Sequence, residues 1–260
     1  MPTRPTERPT LTRLCSLCLA LLGLGISTPS LSGQAHIAVA ANFSEPMKAV
    51  AAVLEKTTGH TLKVTLGATG KLYAQIKNGA PFDVLLAADT KAPAQLEADG
   101  LAQPGSRFTY ATGKLVLWSA DAAKVDAQGA VLKTGSFRKL AYASPKVAPY
   151  GAAAMQVMDQ LGLTAALGPK LVQGESIGQT FGFVFTGNAE LGFVAMSQVL
   201  HGGKLKSGSM WIVPPDLYQP IRQDALVLQR GASNPAAQAL VALLKSPNIR
   251  HLIRSYGYDI

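Results

Sequence analysis

Cysteine is almost absent from this chain of 260 residues, and its two cysteines, Cys15 and Cys18, both lie near the N-terminus. So few thiols exclude a disulfide scaffold and a cysteine-rich zinc site. Charged residues are also scarce, at 15% of the chain, whereas hydrophobic residues make up 48%. This balance excludes an intrinsically disordered chain, and the length allows one large or two medium domains with a substantial core.

Long hydrophobic runs are also lacking outside the N-terminal region, which has the layout of a secretory signal peptide. Three arginines among the first 13 residues precede an apolar run over residues 14–26, and a stretch of small residues ends at Ala35. The run is shorter than the ~20 residues that a membrane-spanning helix needs. We therefore predict a signal peptide over residues 1–35, cleaved after Ala35, and an exported chain over 36–260 that contains no cysteine.

The basic character of the chain does not indicate a nucleic-acid partner. The formal charge of +9 comes from 24 Lys and Arg against 15 Asp and Glu, and residues 36–260 keep 21 minus 14, or +7. The densest basic runs, Lys204 with Lys206 and Arg250 with Arg254, lack interleaved aromatic residues. We interpret this charge as solvated surface.

Short apolar runs alternate with amphipathic segments in two successive halves, which predicts an α/β fold with mostly parallel sheets. Strands are predicted at 36–41, 62–66, 84–87, 115–119, 140–143, 170–172, 191–195 and 224–229. Helices are predicted at 45–58, 70–78, 91–99, 150–161 and 177–186, with a polar loop at 204–209. Two further helices end the chain, the first capped by Ser233 or Asn234 and the second by Ser246.

The two halves predict two domains. The two C-terminal helices have no βαβ unit of their own, so they can pack back on the first domain. We therefore assign residues 36–115 plus 224–260 to domain I and residues 116–223 to domain II.

The sequence lacks the common catalytic and metal-binding motifs. No histidine sits four residues from another histidine or at ligand spacing from a carboxylate, so we predict no metal site. There is no G-x-S-x-G motif and no phosphate-binding P-loop. A cysteine nucleophile is impossible in residues 36–260.

Four strand-to-helix junctions carry the functional signal. They consist of small or hydrogen-bonding residues without charge, at 41–44 (ANFS), 67–70 (GATG), 148–151 (APYG) and 176–179 (SIGQ). Ligands of open parallel sheets bind at such junctions, beyond the carboxyl ends of the strands. A helix N-terminus has unsatisfied N–H groups and a partial positive charge, so it favours an anion.

Two junctions fall in each half, so facing halves would bring four helix N-termini to one cleft. Recognition by N–H groups and hydroxyls, without Lys or Arg, suits a small and fully deprotonated oxyanion. The alternative for single junctions is structural: Asn42, Thr69 and Ser176 would then be N-caps of their helices.

The chain resembles the periplasmic molybdate-binding proteins of ABC transporters, which have the type II periplasmic-binding-protein fold. The segments that carry the resemblance are AVAANF (38–43), GATGKLYAQIKNGAPFDVLLAAD (67–89), GSRFTYATGKLVLWSA (105–120), SPKVAPYGAAAMQV (144–157), ESIGQ (175–179) and LGFVA (191–195). They cover most of residues 36–260 and are spaced as in the family.

The resemblance implies two domains joined by a hinge, with a dehydrated tetrahedral dianion, molybdate or tungstate, in the cleft between them. It places the ligand-binding groups at Asn42, Thr69, Tyr150 and Ile177, the last through its N–H. Ala41 and Ala195 stand where relatives have hydroxyl side chains. The implied protein is a periplasmic monomer that delivers its ligand to a membrane permease and needs no cofactor and no resident metal.

Two alternatives to molybdate capture follow from the residues. The first alternative is a binding protein for another ligand: sulfate, phosphate or a small organic acid. Phosphate is disfavoured because it carries a proton at neutral pH. The second alternative is a secreted enzyme that uses the same cleft, for which Glu175 is the nearest acid. Asp83 and Asp89 are predicted to be structural, and Lys71 is predicted to lie on a solvated helix face.

Overall fold

The computed structural model describes residues 1–3 and 32–260, and residues 32–260 form one compact unit. Most of the predicted signal peptide lies outside the described residues. The first strand begins at Gln34, so a chain cleaved after Ala35 would lack the first two residues of this strand. Within the described range, no helix has both the length and the apolar character needed to cross a bilayer.

The described residues contain twelve strands and ten α-helices. The strands are β1 (Gln34–Ala40), β2 (Thr61–Gly67), β3 (Val84–Leu86), β4 (Phe108–Gly113), β5 (Leu115–Ser119), β6 (Leu140–Ala143), β7 (Leu171–Gly174), β8 (Leu191–Ala195), β9 (Leu200–His201), β10 (Lys204–Leu205), β11 (Ser209–Ile212) and β12 (Ile221–Val227). The helices are α1 (Ser44–Thr58), α2 (Thr69–Lys77), α3 (Lys91–Ala98), α4 (Val131–Thr134), α5 (Pro149–Gln160), α6 (Thr164–Leu167), α7 (Ile177–Phe185), α8 (Met196–Val199), α9 (Pro235–Lys245) and α10 (Pro247–Ser255).

The first sheet has the strand order β2-β1-β3-β12-β4. Strand β1 is parallel to β2 and β3, whereas β12 is antiparallel to both of its neighbours. Helices α1, α9 and α10 pack on one face, where Leu240 and Ile253 share a core with Ile37. Helices α2 and α3 cover the other face, around Leu72 and Leu96. We call this sheet with its five helices lobe 1.

The second sheet has the strand order β11-β5-β8-β6-β7. Strand β6 is parallel to β7 and β8, and β5 is antiparallel to β8 and β11. Helix α5 packs on one face through Val157 and Met158, and α7 packs on the other through Val184. We call this sheet with α4–α8 lobe 2. The predicted α/β fold with two mixed sheets is confirmed.

Helix α1 illustrates how the sequence pattern produces an element. Met47, Val50 and Leu54 are spaced three and four residues apart, and all three side chains are buried against the first sheet. Gly59 follows the helix in the left-handed conformation with φ 72°, which glycine adopts without strain. The helix therefore ends where the sequence predicts.

The two C-terminal helices also begin at predicted caps. The Asn234 side chain, one of the two expected caps, accepts a hydrogen bond from the N–H of Ala236 at 3.0 Å. The Ser246 hydroxyl accepts one from the N–H of Ile249 at 3.4 Å. Each cap satisfies a first-turn N–H group that has no acceptor within its own helix.

The segment predicted as a polar loop at 204–209 is wrong in part. Lys204 and Leu205 form β10, which pairs with β9 in a short hairpin, and Ser209 begins β11. Strand β12 begins at Ile221, three residues before the predicted start, and β4 has no predicted counterpart. Strands β4, β11 and β12 pair with partners about 90–120 residues away, which no local pattern indicates, and β10 is only two residues long.

The chain crosses between the sheets twice, once between β4 and β5 and once between β11 and β12. At the first crossing, Gly113 ends β4 directly beside the Tyr150 hydroxyl of lobe 2. A Cβ at this position would overlap that hydroxyl and crowd the Gln223 amide. Glycine therefore allows the crossing segment to pass close to the interface of the lobes.

Candidate functional site

The four uncharged junctions meet at one small cavity between the lobes. Asn42 and Thr69 line it from lobe 1, and Tyr150 and Ile177 line it from lobe 2. The structure thus brings together all four residues that the sequence predicts for the site. The remaining lining residues are small or apolar: Ala40, Ala41, Gly67, Ala68, Ala88, Ala148 and Pro149.

The backbone at this cavity offers hydrogen-bond donors. Thr69 and Ile177 are the first residues of α2 and α7, and Tyr150 is the second residue of α5. First-turn N–H groups have no acceptor within their own helix. In residues 32–260 these three N–H groups donate to no other part of the chain. They are available to a ligand, at helix ends whose dipoles favour negative charge.

The N-cap alternative holds for one of the three residues to which it applied. Ser176 is the N-cap of α7, and its hydroxyl accepts from the Gln179 N–H at 3.2 Å. Ala68 and Phe43 occupy the N-cap positions of α2 and α1. Capping therefore does not explain Thr69 or Asn42.

The Thr69 hydroxyl is held in place by the main chain. The side chain is 1% exposed, and Oγ1 accepts a hydrogen bond from the Ala88 N–H at 2.9 Å. A hydroxyl that accepts one bond still has its own proton to donate. Thr69 can thus offer both its N–H and its O–H to a ligand.

The Tyr150 side chain belongs to a buried hydrogen-bond network. Its hydroxyl accepts from the Gln223 Nε2 at 3.1 Å, and burial raises the pKa of this phenol well above its usual value. The hydroxyl therefore stays neutral. The group of Tyr150 that serves an anion at the helix end is its N–H.

Asn42 belongs to the same buried network. Its hydrogen-bond partners there were not predicted from the sequence. Its Nδ2 donates to Gln223 Oε1 at 2.8 Å and to the Tyr258 hydroxyl at 2.9 Å. Its carbonyl accepts from the Ser197 hydroxyl at 2.7 Å. Gln223, Tyr258 and Ser197 are each more than 150 residues away along the chain. No local pattern in the sequence indicates contacts of this kind.

The buried tyrosines of this network predict a loss of stability in alkali. Burial raises the pKa of Tyr258 from 10.0 to about 12, and it raises the pKa of Tyr110 and Tyr150 well above that usual value. A raised pKa stabilises the folded state fully below pH 10.0, and this contribution is lost as pH rises through about 12. Urea unfolding free energies across this range should fall steeply with pH, and less steeply in Tyr258→Phe. Ionisation of all buried tyrosines near their usual pKa in the folded protein would contradict this.

The two lobes touch through residues next in sequence to the cavity residues Thr69 and Ala148 and through one ion pair. The Gly70 N–H of lobe 1 donates to the Val147 carbonyl of lobe 2 at 2.9 Å. Lys71 Nζ lies 2.6 Å from Glu175 Oε2, with both side chains at least half exposed. Lys71 thus lies on an exposed face of α2, as predicted, and also forms an ion pair that the sequence did not predict. The pair also occupies Glu175, the acid that the enzyme alternative requires.

The ion pair predicts a modest effect on ligand release. Lys71→Met should speed dissociation of a bound anion by up to about fivefold, since exposed pairs contribute ~0.2–1 kcal/mol. Lys77→Met is the matched control, because Lys77 pairs with Asp99 within lobe 1. Stopped-flow release rates should differ at low salt and converge at high salt. Equal rates for both variants at low salt would show that the pair does not hold the lobes together.

A wider groove of about 710 Å³ adjoins the cavity and shares Ala88, Ala148 and Pro149 with it. Lys91 of lobe 1, Lys146 of lobe 2 and Arg222 of β12 line the groove. These three cations and Asp89 are the charged residues of the groove, whereas the lining of the cavity is uncharged. The cations are placed to raise the local concentration of anions without fixing them.

The acidic residues Asp83 and Asp89 accept hydrogen bonds from the main chain, which are structural roles. Asp83 accepts from the His36 N–H at 2.7 Å, and Asp89 accepts from the Ala92 N–H at 2.9 Å. Burial raises the pKa of Asp89. In the ranges 1–3 and 32–260, no three His, Cys, Asp or Glu side chains are grouped to hold a metal ion.

Two α/β lobes, two crossing segments and a donor-rich cavity between the lobes define a solute-binding protein of the type II periplasmic-binding-protein fold. The model of the family described as bacterial extracellular solute-binding protein matches residues 35–259, and the chain belongs to this family.

The chain is similar over most of its length to several molybdate-binding proteins. The chain is 56% identical over 248 residues to the molybdate-binding protein ModA of Azotobacter vinelandii, covering 94% of this chain and 98% of that protein. It is 51% identical over 253 residues to ModA of Rhodobacter capsulatus, with 97% and 98% covered. The solved structure of a periplasmic molybdate-binding protein of Azotobacter vinelandii superposes with a TM-score of 0.84 at 40% identity, covering 87% of this chain and 99% of that chain.

Proposed function

We propose that this protein is the periplasmic substrate-binding component of an ABC importer and that it captures molybdate or tungstate between its lobes. The observation that carries the proposal is the cavity itself. N–H donors from the first turns of α2, α5 and α7 converge on it beside Asn42, and no charged side chain lines it. The molybdate-binding relatives that match nearly the full chain support this choice of ligand.

The chemistry of the donors fits a fully deprotonated oxyanion. The N–H groups of Thr69, Tyr150 and Ile177 can only donate, so each needs an acceptor oxygen. A tetrahedral dianion offers four such oxygens. Burial strengthens these charge-assisted bonds, and the selection is made by neutral groups.

Delivery to a membrane permease completes the proposed role. The N-terminal segment is proposed to be a cleavable signal peptide that directs the chain to the periplasm, where the protein acts as a monomer. The bound oxyanion is cargo, so the protein needs no cofactor. We propose binding without turnover, because the cavity lining holds no His, Asp, Glu or Cys and Glu175 is paired with Lys71.

Calorimetric titration with molybdate, tungstate, sulfate and phosphate tests this function. Molybdate and tungstate should bind saturably at one site, and phosphate should not compete at equal concentration. Absence of binding by both molybdate and tungstate would contradict the proposal. Tight sulfate binding without molybdate binding would instead support the alternative function, the capture of sulfate.

Thr69→Ala should weaken molybdate binding by ~1–3 kcal/mol, the cost of losing one charge-assisted hydrogen bond to the ligand. Thr69→Ser is the matched control, because it restores the hydroxyl and should recover most of the affinity. Both variants are compared with the unaltered protein by calorimetry. Unchanged affinity in Thr69→Ala would remove this hydroxyl from the site.

A further inference from the structure

Asn42 carries an unmet hydrogen-bonding atom at the cavity. Its side chain is 1% exposed, and in the described part of the chain its Oδ1 is the buried side-chain polar atom without a partner. Nδ2, at the other end of the planar amide, donates to Gln223 and Tyr258. Oδ1 therefore lies away from these partners, on a residue that lines the cavity. Buried polar atoms are rarely left unpaired, so this one calls for an explanation.

Gln223 connects Asn42 to two tyrosines. Gln223 is fully buried, and its Oε1 accepts from Asn42 Nδ2 at 2.8 Å and from the Tyr110 hydroxyl at 3.0 Å. Its Nε2 donates to the Tyr150 hydroxyl at 3.1 Å. Each of these groups is an amide or a hydroxyl, which can donate or accept. The direction of the whole network can reverse if the two amides exchange their nitrogen and oxygen positions.

The reversed direction gives donors to Asn42 Oδ1, the atom that the first direction leaves unpaired. Gln223 Nε2 then donates to Asn42 Oδ1 and to the Tyr110 oxygen, and Gln223 Oε1 accepts from the Tyr150 hydroxyl. The Tyr258 hydroxyl can also donate to Asn42 Oδ1. The Asn42 carbonyl keeps its bond from Ser197. Asn42 Nδ2 then takes the place of Oδ1 and is an N–H donor without a partner in the chain, on a residue that lines the cavity.

We infer that Gln223 is a positioning residue, which sets the end of the Asn42 amide that faces the ligand. The inference rests on the proposed function, because it needs an oxyanion in the cavity. A fully deprotonated oxyanion has only acceptors, so it pairs with Asn42 Nδ2 and holds the network in the reversed direction. An oxyanion that keeps a proton pairs with Asn42 Oδ1 and holds the opposite direction. Gln223 thus contributes to selection by proton count without touching the ligand.

Neutron diffraction from deuterated crystals of the protein with bound tungstate reads the direction directly, because deuterium marks the nitrogen of each amide. We expect Asn42 Nδ2 to face the anion and Gln223 Nε2 to face Asn42. Gln223 Oε1 still accepting from Asn42 in the complex would overturn the inference. A protein that fails to bind tungstate at all would instead contradict the proposed function.

A solution experiment separates positioning from mere packing. Gln223→Met keeps the length of the side chain and removes both polar atoms. Gln229→Met is the matched control, because its Nε2 bonds to the Ala102 carbonyl and Gln229 does not line the cavity. Affinities for molybdate and, by competition, for hydrogenphosphate are measured for both variants and for the unaltered protein, together with melting temperatures.

Gln223→Met should lose about tenfold or more in molybdate affinity, the equivalent of one hydrogen bond to a charged group, without an equal loss for hydrogenphosphate. Equal molybdate affinities in the two variants would overturn the inference. So would equal fractional losses for both anions, which is the result expected of a packing defect. If Gln223→Met does not fold, the neutron experiment on the unaltered protein decides.

Discussion

Gly70→Val is expected to weaken molybdate binding at least about 100-fold while leaving the fold intact. A Cβ on Gly70 would lie 3.1 Å from the Val147 Cα and 3.2 Å from its Cβ, across the cleft. The two further methyl groups of valine would force the lobes apart at this point. Thr69 would then be separated from Tyr150, and the lobe 2 donors would lose their reach. Loss of two charge-assisted bonds at ~1.5–3 kcal/mol each produces a decrease of this size.

Gly182→Val is the matched control for this substitution. Gly182 lies within α7, and a Cβ there would meet nothing within 4 Å. Both variants place a β-branched residue in a helix, so they carry the same propensity cost. Calorimetry should find near-normal affinity in Gly182→Val, and small-angle scattering should find no ligand-dependent compaction in Gly70→Val. Normal affinity in Gly70→Val would contradict a site that needs both lobes.

Ile177→Pro is expected to remove one N–H donor from the cavity with little disturbance of its helix. Proline is favoured at the first position of a helix, where the missing N–H has no intrahelical acceptor. Ser176 before it is extended, with φ −151° and ψ 164°, as a residue preceding proline should be. The loss of the bond costs ~1.5–3 kcal/mol, and the proline ring also occupies space at the anion. We expect molybdate affinity to fall by about 10- to 150-fold or more.

Ile177→Ala provides the control, because it loses more side-chain packing than proline does and keeps the N–H. The Ile177 side chain is 4% exposed, so both variants should lose stability in urea unfolding. Only Ile177→Pro should lose anion affinity. Equal affinities in the two variants would remove the Ile177 N–H from the site.

The local elements of the fold could be predicted from the sequence because their signals are local. The spacing of Met47, Val50 and Leu54 defines a helix by itself, and Gly59 ends it. Strands β5, β6 and β8 have the predicted bounds, since each is a short apolar run between breakers. The resemblance to periplasmic molybdate-binding proteins is confirmed by the full-length relatives. The domain boundaries at 115, 116, 223 and 224 stay a prediction.

The convergence of the four junctions could also be predicted from the sequence. The buried residues that hydrogen-bond to Asn42 could not. Asn42, Thr69, Tyr150 and Ile177 each sit at a strand-to-helix junction, and the α/β topology brings such junctions together. Their assignment as ligand-binding residues stays a prediction. Gln223 lies in β12 between Arg222 and Asp224, and a run of polar residues of this kind is typical of an exposed strand. Gln223 is nevertheless fully buried. Its role depends on partners that only the folded chain brings within reach.

The contact between Lys71 and Glu175 was missed for the same reason. The two residues are 104 positions apart and belong to different lobes. A charged residue on an amphipathic helix normally faces solvent, and no feature of the sequence distinguishes one that meets a partner across a cleft.

The location of bound tungstate in a crystal tests the central claim most directly, because tungsten scatters anomalously and marks its own position. One strong anomalous peak is expected in the cavity between the lobes. Its oxygens should lie about 2.7–3.2 Å from Thr69 Oγ1 and from the backbone nitrogens of Tyr150 and Ile177. A peak in the wider groove beside Lys91, Lys146 and Arg222, with the cavity free of tungsten, would contradict the claim that neutral donors hold the anion.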